Sequence, residues 1–289
     1  MAFDKIAVRS MVKVKLGITG PSGAGKTYSA LRLARGLIGP EGKIGLIDTE
    51  NKSASLYSHV TQFFAEDIAA PFTAEKFVKA IQEAEAAGID VLIIDTFSHV
   101  WEGALAFKAQ LDAAGGNSYT NWDKGGQKFN LVLNTIKQSE MHVICCMRSK
   151  MDYVQEKNEN GKTVIRKVGL APIMRSDTEF EFTTVFDIGQ EHLAQCINTK
   201  DRTEIFKDRV FQITEADGQA IAKWLAGAKP DPKDAIIKGY IKRMAEAKTM
   251  DEIKAIAIEL RKPEVASTLT DPDIALLRTK YDEACARVL

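Results

Sequence analysis

The octapeptide Gly20-Pro21-Ser22-Gly23-Ala24-Gly25-Lys26-Thr27 constrains this chain more than any other feature. It fits the pattern G-x-x-x-x-G-K-[ST] and lies between an apolar run, VKVKLGITG (12–20), and a stretch of helical periodicity from Lys26 to Ile38. Glycines at this spacing let consecutive backbone N–H groups curl around a polyphosphate, and the helix N-terminus adds partial positive charge. Lys26 then reaches the β and γ oxygens, and Thr27 supplies a hydroxyl to Mg²⁺. The octapeptide and the adjoining Tyr28 are the expected nucleotide site, with ATP and Mg²⁺ as cofactors.

The flanking sequence predicts the scaffold such a loop needs. VKVKLGITG (12–20), KIGLIDTE (43–50), IDVLIIDT (89–96) and MHVICCM (141–147) read as strands, and three of them are nearly continuous apolar runs suited to a sheet covered on both faces. Helical patterns alternate with them: Lys26 to Ile38, Thr73 to Ala87 closing at Gly88, and Phe129 to Ser139. The alternation predicts an α/β fold with a mostly parallel central sheet and right-handed crossovers. EFTTVFDIG, HLAQCINTK and RVFQIT are expected to extend that sheet antiparallel, and a helix from Glu215 to Ala226 closes the core. GAKPDPKD (227–234) has the composition of a linker, so a core over 1–228 is expected to precede a bundle of three short amphipathic helices over 229–289. The bundle is read as a protein-contact module or as packing that caps the core.

A phosphate loop needs a second carboxylate for its metal. Asp95, at the carboxyl end of VLIIDT, is expected to fill that place, lying beside the loop if the two strands are neighbours. The residue after it is Thr96 rather than glutamate, so a carboxylate that polarises the attacking water must come from elsewhere. Glu50 ends the strand KIGLIDTE in the crevice above the sheet, with Asp48 on the same face as the competing candidate.

GPSGAGKT, LIDTE with its glutamate 24 positions beyond Lys26, and LIIDT together resemble the series of RecA-like recombinase ATPases, over roughly residues 12 to 225. Among these the chain is most similar to the compact phage-encoded Sak-type proteins that act with single-strand annealing systems. The resemblance selects Glu50 as the catalytic glutamate and implies a RecA-like P-loop NTPase core. Lys200-Asp201-Arg202 followed by Phe211-Gln212-Ile213 is similar to the family's late strands, which implies that Lys200 and Arg202 act catalytically across a subunit interface in a ring or filament. Arg148 stands where the family carries a polar sensor, usually glutamine, and departs from the pattern.

Lys+Arg 39 balances Asp+Glu 39, which excludes a generic nucleic-acid coat whose affinity comes from overall positive charge. Local features remain. Residues 148–175 hold seven Lys/Arg (Arg148, Lys150, Lys157, Lys162, Arg166, Lys167, Arg175) against three acids, with Tyr153 among them. MDYVQEK and KTVIRKV flank Asn160-Gly161, so this segment is a protruding hairpin or a mobile loop. In position it matches the family's second DNA-binding loop. AAGGNSYTNWDKGGQK (113–128) frames Tyr119, Trp122 and Lys124 with two Gly-Gly pairs and matches the first; the alternatives are an active-site lid or a simple long loop.

Ser98, His99 and Trp101 read as packing or supporting residues. The four cysteines show no C-x-x-C spacing, and alternation sends Cys145 and Cys146 to opposite faces as buried thiols. No apolar run approaches a membrane span and MAFDKIAVRS lacks a signal core, so the expected compartment is the cytoplasm, that of a bacterial host if the chain is phage-encoded.

The expected function is a Mg²⁺-dependent ATPase that binds single-stranded DNA and promotes phage-type recombination or annealing as an oligomer, with a single-strand binding protein or an annealase as a further partner. A small-molecule kinase and a nucleotide-gated loader with little turnover are the alternatives. Asn198-Thr199-Lys200-Asp201 has the letters of a guanine-reading motif in the wrong spacing, which counts against a GTPase.

Overall fold

The computed structural model describes residues 9, 12–157, 163–175, 178–227, 232–262, 265, 269 and 271–288, with side chains at all of these except 151–171, 197–200, 232–236, 238 and 271–272. The chain divides into two compact units, 1–225 and 226–289.

In the first unit the apolar runs become β1 (Lys15–Gly20), β2 (Ile44–Asp48), β4 (Val91–Asp95) and β5 (His142–Lys157). A short edge strand, β3 (Phe64–Asp67), lies beside β2, and β6 (Thr163–Pro172), β7 (Thr184–Ile188), β8 (Ala194–Asp201) and β9 (Val210–Phe211) follow. The order across the sheet is β3-β2-β4-β5-β1-β7-β8-β9, with β6 paired to β5. Five consecutive pairings, from β3 through β7, are parallel. The fold is the expected one: a mostly parallel α/β sheet of the RecA-like P-loop NTPase type.

One expectation about the sheet is corrected, and one condition set on it is not met. β7 joins β1 in parallel register, and the antiparallel pairings are β7–β8 and β8–β9 beyond it and β5–β6. β1 and β4 are not neighbours, because β5 lies between them. Among the alternatives for 148–175, β5 and β6 pair antiparallel as a hairpin with a register shift at Asp152/Tyr153; Asn160-Gly161 lies outside the described residues.

The helices are α1 (Lys26–Ile38), α2 (Ala74–Ala86), α3 (Ser98–Ala113), α4 (Ser118–Gln138) and α5 (Glu215–Leu225). One core packs α1 and α5 on the sheet through Leu31, Leu33, Ile221 and Leu225, and Arg32 forks onto Glu215 at its edge. The other packs α2, α3 and α4 through Phe77, Val100 and Phe129. Cys146 belongs to the first core and Cys145 to the second, so the adjacent thiols do face opposite ways. Burial pushes both thiols up, which keeps them protonated and inert.

The expected glycine-hinged loop over 113–128 is largely helix. Gly115 and Gly116, both at positive φ, make the turn between α3 and α4, with the Asn117 side chain capping α4 through the Tyr119 N–H. Gly125 and Gly126 lie inside α4, where a Cβ on Gly125 would come 3.2 Å from the Ala104 carbonyl oxygen. Gly125 therefore serves close helix packing rather than hinge motion, while a Cβ on Gly126 would meet open space.

His142 begins β5, and its Nδ1 accepts the Val14 N–H at 3.1 Å. Burial, with Lys13 and Lys15 nearby, pushes its pKa down from 6.5 to about 4. The folded state thus prefers neutral histidine, and its contribution to stability is complete above pH 6.5 and lost as pH falls towards 4. The stability difference between the chain and His142→Gln, measured by denaturant unfolding, is expected to shift against the unmutated chain by about 2–3 kcal/mol between pH 7 and pH 4.5. A pH-independent difference contradicts this.

Among the described residues, the second unit contains α6 (Pro232–Glu246), α7 (Met250–Leu260) and α8 (Asp271–Val288). They enclose Met244, Ala247, Ile253, Ile256 and Ala284, and α7 opens with a reciprocal capping box between Thr249 and Glu252. Among the described residues no helix is long and apolar enough to cross a membrane.

Candidate functional site

The phosphate loop leaves the carboxyl end of β1 and turns into α1. Gly20 sits where β7 passes close, so that a Cβ would lie 2.7 Å from the Ile188 carbonyl oxygen. Gly25 enters α1 at φ +87°, a left-handed conformation that favours glycine. The backbone N–H groups of Gly23, Gly25, Lys26, Thr27 and Tyr28 donate to no group among the described residues. Such a row of free donors at a helix N-terminus is what a polyphosphate requires.

Lys26 is buried, and its ammonium donates to the Gly20 and Pro21 carbonyl oxygens at 3.0 and 2.8 Å. Ser22 and Ala24 complete the turn, with Ala24 N–H on the Pro21 carbonyl and the Ala24 carbonyl accepting from His192 Nδ1 at 3.0 Å. Tyr28 lies half-exposed on the outer face of α1. With Gly23, Gly25, Arg32, Tyr57 and His192 it lines a cavity of about 340 Å³ beside the loop. Flat aromatic walls next to the phosphate donors suit a nucleoside.

Thr27 Oγ1 donates to Asp95 Oδ2 at 2.5 Å, so hydroxyl and carboxylate converge although β5 separates their strands. Asp95 is buried, and desolvation pushes its pKa up to about 6 against the Thr27 hydrogen bond, with Glu50 adding repulsion. A buried carboxylate with this bias binds a cation readily. Among the described residues no cluster of three or more His, Cys, Asp or Glu forms a protein cage for a metal. One hydroxyl and one carboxylate beside a phosphate cradle instead suit Mg²⁺, which keeps water and substrate oxygens as its other ligands. When bound, that ion neutralises charge on the phosphates. The residues present fit Mg²⁺ and a nucleoside triphosphate.

Glu50 and Asp48 separate by their partners. Asp48 accepts from Glu50 N–H at 2.6 Å through Oδ1 and from Ala54 N–H at 2.8 Å through Oδ2, so it holds the turn after β2. Glu50 is half-exposed and takes both Arg148 hydrogen bonds on Oε1, from Nε at 2.9 Å and Nη2 at 2.6 Å. Its Oε2 has no partner among the described residues.

Arg148 thus stands at the mouth of the site, its N–H fixed by Ser98 Oγ at 2.9 Å. Thr49 Oγ1 joins the strand ends by accepting from Thr96 N–H, and it also meets His99 Nδ1 at 2.7 Å. His99 stacks on Phe72, and burial pushes its pKa down.

Arg202 does not join this cluster. Arg202 is exposed and donates to the Phe180 carbonyl oxygen at 3.1 Å, and the Lys200 side chain lies outside the described residues. So do Tyr153 and the cationic side chains of Lys157, Lys162, Arg166 and Lys167.

Tyr119 is 84% exposed and Trp122 48%. Trp122 stacks on Trp101 with centroids 6.4 Å apart, and Lys108 lies 4.9 Å over its ring. These aromatics, with Asn130, Met174 and Arg175, line a groove of about 600 Å³. It brings together residues from 113–128 and from 148–175.

Sequence reading missed His192, Tyr57, Thr49 and the partner of Arg148. His192 touches the loop only because β7 lies beside β1, a pairing that no local signal announces.

Residues 12–209 match the family model described as AAA domain. The curated signal recognition particle 54 kDa protein of Pyrobaculum arsenaticum is 36% identical over 85 residues, covering 27% of this chain and 19% of that protein. The matched segment thus spans about a fifth of that relative's length. A crystal structure of a KaiC-like protein from Pyrococcus horikoshii is similar at a TM-score of 0.39 and 14% identity, over 64% of this chain and 78% of that one.

Proposed function

The chain belongs to the AAA domain family, and on that premise we propose that it is a Mg²⁺-dependent ATPase that works on single-stranded DNA as an oligomer, in phage-type recombination or strand annealing. The ATPase half is carried by the Thr27–Asp95 contact beside the free amides of the loop. In this reading Lys26 and Mg²⁺ stabilise charge on the γ-phosphate. Arg148 is a positioning residue: by clamping Oε1 of Glu50 it orients the carboxylate and leaves Oε2 to hold the attacking water. Lys200 and Arg202 complete the site from a neighbouring protomer, which makes turnover depend on assembly.

The DNA half rests on the aromatic groove. Trp122 and Tyr119 offer exposed π faces, Arg175 supplies a cation, and base stacking tolerates any sequence. Groove and site are also joined through α3, which begins just beyond Asp95, carries Trp101 and holds Arg148 through Ser98. A single-strand binding protein or an annealase is the further partner in this reading.

Tyr119→Ala/Trp122→Ala is expected to weaken binding of a fluorescent oligo(dT) about tenfold or more. Nucleotide affinity should be unchanged, because neither ring touches the loop cavity. Unaltered oligo(dT) affinity contradicts DNA binding in this groove.

A further inference from the structure

The C-terminal unit carries a feature that ATP turnover does not use. Residues of α6, α7 and α8, with Arg261 and Leu269, line a cavity of about 670 Å³. Met244 and Leu277 are buried at its base, Leu260 and Ala257 line it, and Ile274 is exposed at its lip. Arg261 and Arg278 also border it.

The unit's arginines fall into two groups. Arg243 forks onto Glu259 at 2.6 and 3.0 Å, and Arg287 donates to the Met244 and Ala247 carbonyl oxygens near the end of α6. Arg261 and Arg278, the two at the cavity, have no acidic partner among the described residues. Asp282 also lines the cavity, so its charged side chains among the described residues sum to one positive charge.

We propose that this groove is a docking site for a short acidic peptide with interspersed apolar side chains, carried by another protein. Guanidinium forks match carboxylates in a planar, paired geometry that a lysine does not supply. The aliphatic floor takes the apolar side chains as grooves take the anchors of a recognition peptide. A nucleic acid fits this surface less well: among the described residues the cavity offers one aromatic ring, Tyr281, and too few cations to follow a phosphate backbone. The proposal stands apart from the ATPase reading, since the groove lies wholly within the second unit.

The test uses the full-length chain and a fluorescein-labelled peptide alternating Glu with Leu, its Lys-for-Glu counterpart, and labelled oligo(dT). The acidic peptide should bind at least about tenfold tighter than the basic one. Arg261→Ala/Arg278→Ala should remove at least about tenfold of that affinity, while basal ATP turnover stays unchanged. Ile274→Asp, at an exposed position, should weaken the acidic peptide as well. Equal binding of the two peptides, or unchanged binding in both variants, overturns the proposal. So does a loss of oligo(dT) affinity in the double variant with peptide binding intact, which would make the surface a nucleic-acid one.

Discussion

Glu50→Gln is expected to hydrolyse ATP about 10²- to 10⁴-fold more slowly than the unmutated chain while still binding ATP with Mg²⁺. The amide keeps the shape of the side chain and loses the basicity that a water-orienting carboxylate needs. Nucleotide affinity should be retained, because the loop amides, Lys26 and the Thr27–Asp95 pair are left intact. Arg148→Ala belongs to the same prediction. If Arg148 only positions Glu50, its loss lowers kcat with little change in KM, and Arg148→Lys restores part of the rate. Unchanged turnover in Glu50→Gln would assign water activation to another group. Asp48 would be a poor replacement, since both its oxygens already hold backbone amides.

Lys26→Ala should be at least as damaging, but with a different signature. The ammonium is buried among loop carbonyls, and in the proposed reading its charge acts on the γ-phosphate in ground and transition states alike. Its loss is expected to raise KM and to lower kcat by about 10²- to 10³-fold, equivalent to about 3–4 kcal/mol of transition-state stabilisation. Equilibrium binding of a fluorescent ATP analogue alongside steady-state rates distinguishes the two variants: Glu50→Gln binds and does not turn over, and Lys26→Ala fails at both. An ATP affinity unchanged in Lys26→Ala would remove the lysine from the phosphates.

How far these roles could be read in the sequence follows the range of the interactions. The phosphate loop and the strands from β1 to β5, β3 apart, are local patterns: apolar runs, a fixed glycine spacing, a helical stripe. β3 was missed because Phe64–Asp67 is an exposed edge strand without an apolar face. Gly125 misled because glycine serves hinges and tight helix packing equally, and only the partner helix decides between them. The direction of β7 depends on which strand it joins, a choice made across the whole sheet.

The same distinction runs through the site. Spacing marked Lys26, Thr27 and Asp95, and the structure brings Thr27 to Asp95 although β1 and β4 are not neighbours. β5 intervenes, and Thr27 still reaches Asp95 because α1 opens beyond the carboxyl end of β1 and Asp95 ends β4 at the same end of the parallel sheet. The Arg148–Glu50 pair spans 98 positions and the His192–Ala24 contact 168, and neither leaves a trace in local pattern. Arg148 looked like a departure from the family's sensor position; the structure gives it a defined partner in Glu50.

The central claim is that this site hydrolyses ATP under the control of single-stranded DNA. Its most direct test is the steady-state rate of ATP hydrolysis with and without oligo(dT), over a range of salt. The account predicts a clear rise in turnover on adding the DNA, a rise that shrinks as salt increases and disappears in Tyr119→Ala/Trp122→Ala. A rate indifferent to DNA at every salt concentration would contradict it.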